Sequence, residues 1–337
     1  MAMPSPEPAL RVLRRGDVLA AAVDVDPVAA VEATLRAHAR GATTLPDEAY
    51  LPWHTASGAF ARSLALPGAV WGERPAVGLK IINSSLDNPG RGLPRAQGWT
   101  FLFDPDTARP VAMLEAAWIS GARTAAYTVL SARLLAAPGV DRIAVLGCGA
   151  LAEAHLDLLA AELPDASVVV HDLDPARARA LAARRRAEVA DDPRTAVAGA
   201  GLVVCTTTTT TGYLALDWLA PGALVAHVSL DDVLPEVVTG ADLVVVDDWD
   251  LVAADDRRLL GRMLRAGTLA PPGETRPGAR TVDATLADVV AGTHPGRARA
   301  TDVVLSNPFG MGVLDVALAA AVHDAAVARG LGTVLEP

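Results

Sequence analysis

The sequence predicts an α/β chain in two parts, a doubly wound parallel sheet and a smaller α+β module. Three observations carry this. First, five short apolar runs recur between residues 143 and 246: Ile143 to Leu146, Ser167 to Val170, Gly201 to Cys205, Ala223 to Val228 and Asp242 to Val246. Helical segments separate them, and polar residues stand at their carboxyl ends, as in buried parallel strands. Second, Gly147-Cys148-Gly149-Ala150-Leu151-Ala152 follows the first run at once, which is the pattern G-x-G-x-x-[G/A]. Third, residues 43 to 112 read as a strand-rich module of a different kind, and a last helix follows the sheet. Together these give a Rossmann-type sheet over residues 129–305. The smaller part is discontinuous, residues 1–128 with 306–337, and is expected to carry substrate binding and dimerisation.

Composition narrows the function. The chain has 337 residues, 51% apolar and 20% charged, enough for two cores. Its net charge of −10 comes without a basic stripe, which argues against nucleic acid or an anionic membrane as the main partner. The longest apolar stretches carry charges or prolines, so no transmembrane helix is expected. Met1 to Pro8 is proline-rich, without a signal-peptide core, and is expected to be disordered. A reducing cytoplasm follows. Cys148 and Cys205 then read as two small buried residues at strand ends rather than a disulfide. His227, His294 and His323 lack metal-ligand spacing, so no metal is expected.

Taken in order, Pro27 to Ala39 has helical spacing in Val28, Val31, Leu35 and Ala39, with Asp26 as N-cap before a first-turn proline. Val77 to Ile82 and Gly98 to Phe103 read as strands, with a loop from Asn83 to Gln97 between them. Asp104-Pro105-Asp106-Thr107 is turn chemistry, and Pro110 to Leu114 returns as a strand. Ser120 to Ala136 is an alanine-rich helix joining the two parts. Beyond the fifth sheet strand, Arg257 to Arg265 and Leu286 to Ala291 read as helices, Pro271 to Gly278 as a loop and Thr301 to Leu305 as a last strand. A loop, Asn307 to Gly312, leads to the terminal helix Val313 to Arg329.

The glycine pattern has a physical logic. Gly147 permits the tight turn, Gly149 leaves room for a pyrophosphate, and Ala152 lets helix and strand pack closely. The N–H groups at Ala150 and Leu151 open the helix and favour an anion. Asp172 lies 25 residues after Gly147, where an acidic residue holds ribose hydroxyls. It would repel a 2′-phosphate, so NAD is expected over NADP, although Arg177 and Arg179 lie nearby. Thr206 and Thr207, after the third strand, and Ser229, after the fourth, are further candidates for contact with the cofactor.

Several motifs together resemble the ornithine cyclodeaminase/μ-crystallin family over about residues 43 to 335. They are Ile119 to Ala126, Gly78-Leu79-Lys80, Gly147 to Ala152 with His155, and Asn307 to Gly312 with Asp315. Ser84-Ser85 through Asn88, Gly92 to Ala96, Ser229 to Glu236 and Ser306 to Met311 are most similar to one branch. That branch oxidises N-(1-amino-1-carboxy-2-ethyl)glutamate to 2,3-diaminopropionate and 2-oxoglutarate. The resemblance implies an NAD-dependent enzyme that moves a hydride from an amino-acid Cα to nicotinamide. An imine forms and is hydrolysed.

It implies that Lys80 and Arg123 hold the substrate carboxylate, with Arg95 and Asn307 as further substrate contacts. Arg123 and Thr124 would also touch the cofactor. Lys80, Asp232 and Asp231 are the catalytic candidates, and Asp232 is preferred over Asp231 as acid/base. Residue patterns alone allow Lys80 to face solvent and Arg123 to pair with Glu115. A cyclodeaminase, a ketimine reductase and a non-catalytic binding protein share the resemblance. The small module is expected to pair two subunits, with the nucleotide domains outermost. The chain departs from the branch at Asp47-Glu48, where the branch is basic. If that segment lines the pocket, the substrate should place a neutral or cationic group there.

Overall fold

The computed structural model describes residues 9–336. The proline-rich start expected to be disordered lies outside them. Two compact units emerge: one from the N-terminus to Arg123 together with Met311 onward, the other Thr124–Gly310.

The chain begins with β1 (Leu10–Leu13), α1 (Arg15–Ala22), α2 (Pro27–Ala39), β2 (Thr43–Thr44), β3 (Ala49–His54), β4 (Phe60–Val70), β5 (Ala76–Ser85), β6 (Ala96–Phe103) and β7 (Pro110–Glu115). Then α3 (Ala116–Leu135) leads into β8 (Arg142–Leu146), α4 (Ala150–Glu162), β9 (Ser167–His171), α5 (Pro175–Arg185), β10 (Glu188–Val189), α6 (Pro193–Val197), β11 (Leu202–Cys205) and β12 (Leu224–His227). After these come α7 (Pro235–Gly240), β13 (Leu243–Val246), α8 (Trp249–Ala254), α9 (Leu259–Arg265), β14 (Leu269–Ala270), β15 (Arg280–Thr281), β16 (Ala284–Thr285), α10 (Leu286–Ala291) and β17 (Val304–Asn307). The chain closes with α11 (Gly312–Ala328) and β18 (Thr333–Leu335).

In the first unit the strands run β18-β1-β7-β6-β5-β4-β2, with β3 also on β4. β4 through β7 form an antiparallel meander. One face of this sheet, with Leu102, Ala112 and Leu114, packs in a core with Val316, Leu318 and Val322 of α11 and Val18 of α1. β4 was not among the strands expected from the sequence, and Pro67 lies within it. The register explains why it forms. β3 pairs residues 60–65 of β4 and β2 pairs residues 69–70, so Pro67 falls in the gap between two partners. There its missing N–H breaks no ladder on that edge. The expected long loop is also shorter: β5 runs on to Ser85, β6 starts at Ala96, and a 3-10 turn spans Pro89–Arg91. Asp26 caps α2 as expected, its Oδ1 accepting from the N–H groups of Val28 and Ala29.

The second unit is the parallel sheet β10-β9-β8-β11-β12-β17-β13-β16. Every pairing in it is parallel. Sequence order runs outward from β8 through β9 and β10 on one side and through β11 and β12 on the other, with β17 inserted before β13, so the carboxyl ends of β8 and β11 make the topological switch point. Gly147 follows β8 and Thr206 follows β11. The strands are nearly solid valine, leucine and alanine, buried on both faces, which is what a doubly covered sheet requires. The last strand is Val304–Asn307 rather than Thr301 to Leu305, because Asp302 is drawn into a turn with Arg299.

Candidate active site

The glycine-rich turn is built for a dinucleotide. Gly147 adopts a φ of +90°, and a Cβ there would stand 3.0 Å from the Thr206 carbonyl carbon and the Thr207 nitrogen. Only glycine meets both demands. Gly149 is the N-cap of α4 and has no side chain to cap it. A Cβ built on Gly149 meets open space. The first-turn N–H groups of a 13-residue helix therefore open beside a glycine with no side chain in the way. Asp172 closes the turn: its Oδ2 accepts from the Cys148 N–H at 2.7 Å and its Oδ1 from the Asp174 N–H at 2.8 Å. Thr206 is buried, and its hydroxyl donates to the Gly147 carbonyl at 2.9 Å. These residues fit a dinucleotide, with Gly149, Ala150 and Leu151 at the pyrophosphate and Asp172 at the ribose. Cys148 does not behave as a reactive thiol. Burial, with Asp172 nearby, pushes it up to about 12.

In the first unit, Lys80 lies in β5 on the same side as Gly78, facing α11, while Leu79 and Ile81 alternate to the other face. Lys80 is only 1% exposed, which excludes the solvent-facing arrangement. Its Nζ reaches Asp315 Oδ2 at 2.8 Å and donates to Ser120 Oγ at 3.3 Å. Arg123 donates from Nε to Asp315 Oδ1 at 3.2 Å. Its partner is thus Asp315 and not Glu115, whose carboxylate instead caps α3 through the Ala117 N–H. Ser120 and Arg123 stand three apart and share one face of α3. Asp315 is fully buried in the first turn of α11, where the helix dipole favours a carboxylate. Glu48 lies close enough for its charge to act on Lys80, whereas Asp47 is exposed. Arg95 is exposed after the 3-10 turn.

In the second unit, the loop after β12 holds both acid/base candidates, and they differ sharply. Asp232 is fully buried. Its Oδ1 accepts from the Thr207 hydroxyl at 2.7 Å and the Tyr213 hydroxyl at 2.9 Å, and its Oδ2 from the Ser229 hydroxyl. His227 accepts from the Asp232 N–H through Nε2 at 3.1 Å. Burial alone would push this carboxyl up. The adjacent His227 ring and the hydrogen bonds from Ser229 and Thr207 outweigh that and hold it below the usual range. Asp231 instead forms a bidentate pair with Arg262 at 3.0 and 3.2 Å. Asn307 ends β17, buried, with its amide donating to the His227 carbonyl at 2.9 Å. Thr124, the first residue of the second unit, is also buried.

Sequence reasoning assigned no role to Asp315, Tyr213 or His227. Asp315 did leave a signal, a lone acid among Val313, Leu314, Val316 and Leu318 in an apolar helix. A carboxylate there must be paired. Tyr213 left none, since only the fold brings it to Asp232.

Fold and site together define a dinucleotide-dependent oxidoreductase. The chain belongs to the ornithine cyclodeaminase/mu-crystallin family, whose model matches residues 11–330. It is 32% identical to the N-((2S)-2-amino-2-carboxyethyl)-L-glutamate dehydrogenase of Staphylococcus aureus, over 91% of this chain and 92% of that protein. Among solved structures, CmnK shares 46% identity with a TM-score of 0.91, covering 98% of each chain. An archaeal alanine dehydrogenase with bound NAD superposes at a TM-score of 0.82 with 22% identity, covering 97% and 99% of the two chains. That last likeness is one of fold.

Proposed function

We propose that the chain is an NAD-dependent oxidoreductase of the C–N bond of an N-substituted or diamino acid, acting in 2,3-diaminopropionate formation or a related biosynthesis. The observation that carries this is a pair of cations on one carboxylate, the buried Lys80 and the partly exposed Arg123, in a chain that also holds a complete dinucleotide turn. The staphylococcal relative is named for such a reaction.

In the oxidative direction the substrate Cα–H leaves as hydride and the substrate nitrogen loses a proton. Water then adds to the C=N bond, giving an amine and a 2-oxo acid. The nicotinamide, when bound, accepts the hydride. Arg123 keeps Nη1 and Nη2 for a carboxylate, since Asp315 occupies Nε. Lys80 adds a point charge. Asp232, held ionised by its neighbours, orders Ser229, Thr207 and Tyr213 and is the proton acceptor we favour over Asp231. NAD is the cofactor. The enzyme is proposed to be cytoplasmic and a homodimer; among the described residues no helix is long and apolar enough to cross a membrane.

The test is absorbance near 340 nm with glutamate adducts, ornithine, alanine and other amino acids. The reading requires net NADH from at least one N-substituted or diamino acid. Product without NADH makes the protein a cyclodeaminase. Saturable binding without turnover makes it a binding protein.

A further inference from the structure

The chain carries 29 basic residues, and Lys80 is the only lysine among them. Twenty-eight positions use arginine, including the partner cation Arg123. A site that needed only positive charge and a fork of donors would be served by arginine again. An amine offers what a guanidinium does not, a proton that can leave within the working pH range. The single lysine is also among the largest fully buried side chains of the protein.

The carboxylate against it is equally unusual. Asp315 is 0% exposed and bridges two cations, one on each oxygen. It comes from α11, Lys80 from β5 and Arg123 from α3, so one carboxylate ties three elements. Local packing lets α11 come close: Cβ atoms on Gly68 and Gly312 would stand 2.9 Å from Val313 and 2.8 Å from the Pro67 carbonyl. We propose that Asp315 is a positioning residue, whose two oxygens hold Lys80 and Arg123 together as one centre of net charge +1. That charge is matched to a single substrate carboxylate. Without Asp315, two adjacent cations would repel, and the lysine, not the arginine, would release its proton. This rests on the reading that Lys80 and Arg123 hold a substrate carboxylate.

The groups facing Lys80 are Asp315 from α11, Arg123 and Ser120 from α3, and Glu48 from the segment before β3. Burial brings Lys80 down to about 8; Asp315 is the largest influence raising it, Arg123 lowers it, and Glu48 raises it. Lys80 is therefore mostly an ammonium at pH 7, a form that Asp315 favours, yet close to releasing a proton.

A single lysine makes the test direct. Protein grown on lysine 13C-labelled at Cε gives one side-chain resonance, and its shift against pH reads Lys80 alone. The wild type should titrate near 8. Asp315→Asn, nearly the same shape, should lower that midpoint by about one unit or more, a tenfold change in the amine's protonation. Amino-acid KM at pH 7 should rise roughly tenfold while NAD affinity stays within about twofold. Asp315→Glu should restore part of both effects. An Asn variant whose Lys80 midpoint is not lowered overturns the proposal. So does a wild-type midpoint below about 7, which needs no variant to fold. If the midpoint falls but amino-acid kinetics do not change, Asp315 positions Lys80 and the carboxylate-holding role is what fails.

Discussion

A carboxylate that accepts three hydroxyls in a dry site and one that faces a half-exposed arginine answer truncation differently. Asp232→Ala leaves Ser229, Thr207 and Tyr213 with a lost acceptor, and should cost about 2–4 kcal/mol in unfolding. Asp231→Ala breaks a pair with Arg262, whose side chain is 46% exposed, and should cost less than about 1 kcal/mol. Denaturant unfolding checks both. Activity then separates the roles, because Asp232→Asn keeps the shape and removes the charge. It should lower kcat at least about a hundredfold if Asp232 is the proton acceptor. Wild-type kcat in Asp232→Asn, with loss in Asp231→Asn, would move the role to Asp231. If Asp172 holds the ribose, its charge repels a 2′-phosphate. The ratio of kcat/KM for NAD over NADP should exceed about a hundred and should shrink in Asp172→Ser. Equal use of both cofactors by the wild type would sink this assignment. Glu48 tests the substrate. If it faces the ligand, Glu48→Lys should favour glutamate adducts over diamino acids, and an unchanged preference puts it outside the pocket.

At the scale of elements, what was legible in the sequence had local causes. The five sheet strands, the glycine turn and the cap on α2 each follow from periodicity or backbone demand within a few residues. Elements that depend on a distant partner were not legible. β4 needs the gap between β2 and β3 to tolerate Pro67. The role of Asp315 needed β5 and α3 to be in place. His155 lies fully buried on α4 against Thr128 of α3. Its Nδ1 is 2.7 Å from the Leu151 carbonyl and its Nε2 3.0 Å from the Thr128 hydroxyl. This geometry suits the neutral ring with hydrogen on Nδ1. Burial brings His155 from 6.5 down to about 4, against a smaller opposing effect of the Leu151 carbonyl. A folded value below the unfolded one gives stability that is full above about 6.5 and declines as pH falls toward 4. The loss should approach about 3 kcal/mol. In His155→Gln this component is missing, so the stability gap between wild type and variant should narrow as pH drops from 7 to 4. A gap constant with pH would mean His155 does not stay neutral in the fold.

The whole molecule leaves one large surface to account for. In the first unit, the sheet face opposite Lys80 presents Leu79 and Ile81 of β5, Trp99, Phe101 and Phe103 of β6, and Met113 of β7, all only half-buried. The register sets Trp99 beside Ile81, Phe101 beside Leu79 and Met113 beside Phe101, which makes the face continuous. Leu51 and Trp53, exposed at 63% and 42%, extend apolar surface along β3. A contiguous apolar patch of this kind marks an association site on a soluble protein. An isologous pairing of two copies would cover it, because the same face serves both partners. We therefore expect a homodimer in sedimentation at micromolar concentration, near twice the chain mass of 34.7 kDa. Phe101→Glu places a charge at the centre of the face. It should shift the protein to monomer while leaving NAD affinity intact, since Phe101 lies in the first unit and the dinucleotide turn in the second. A wild-type monomer would refute the assembly. A Phe101→Glu dimer as tight as wild type would place the contact on another surface.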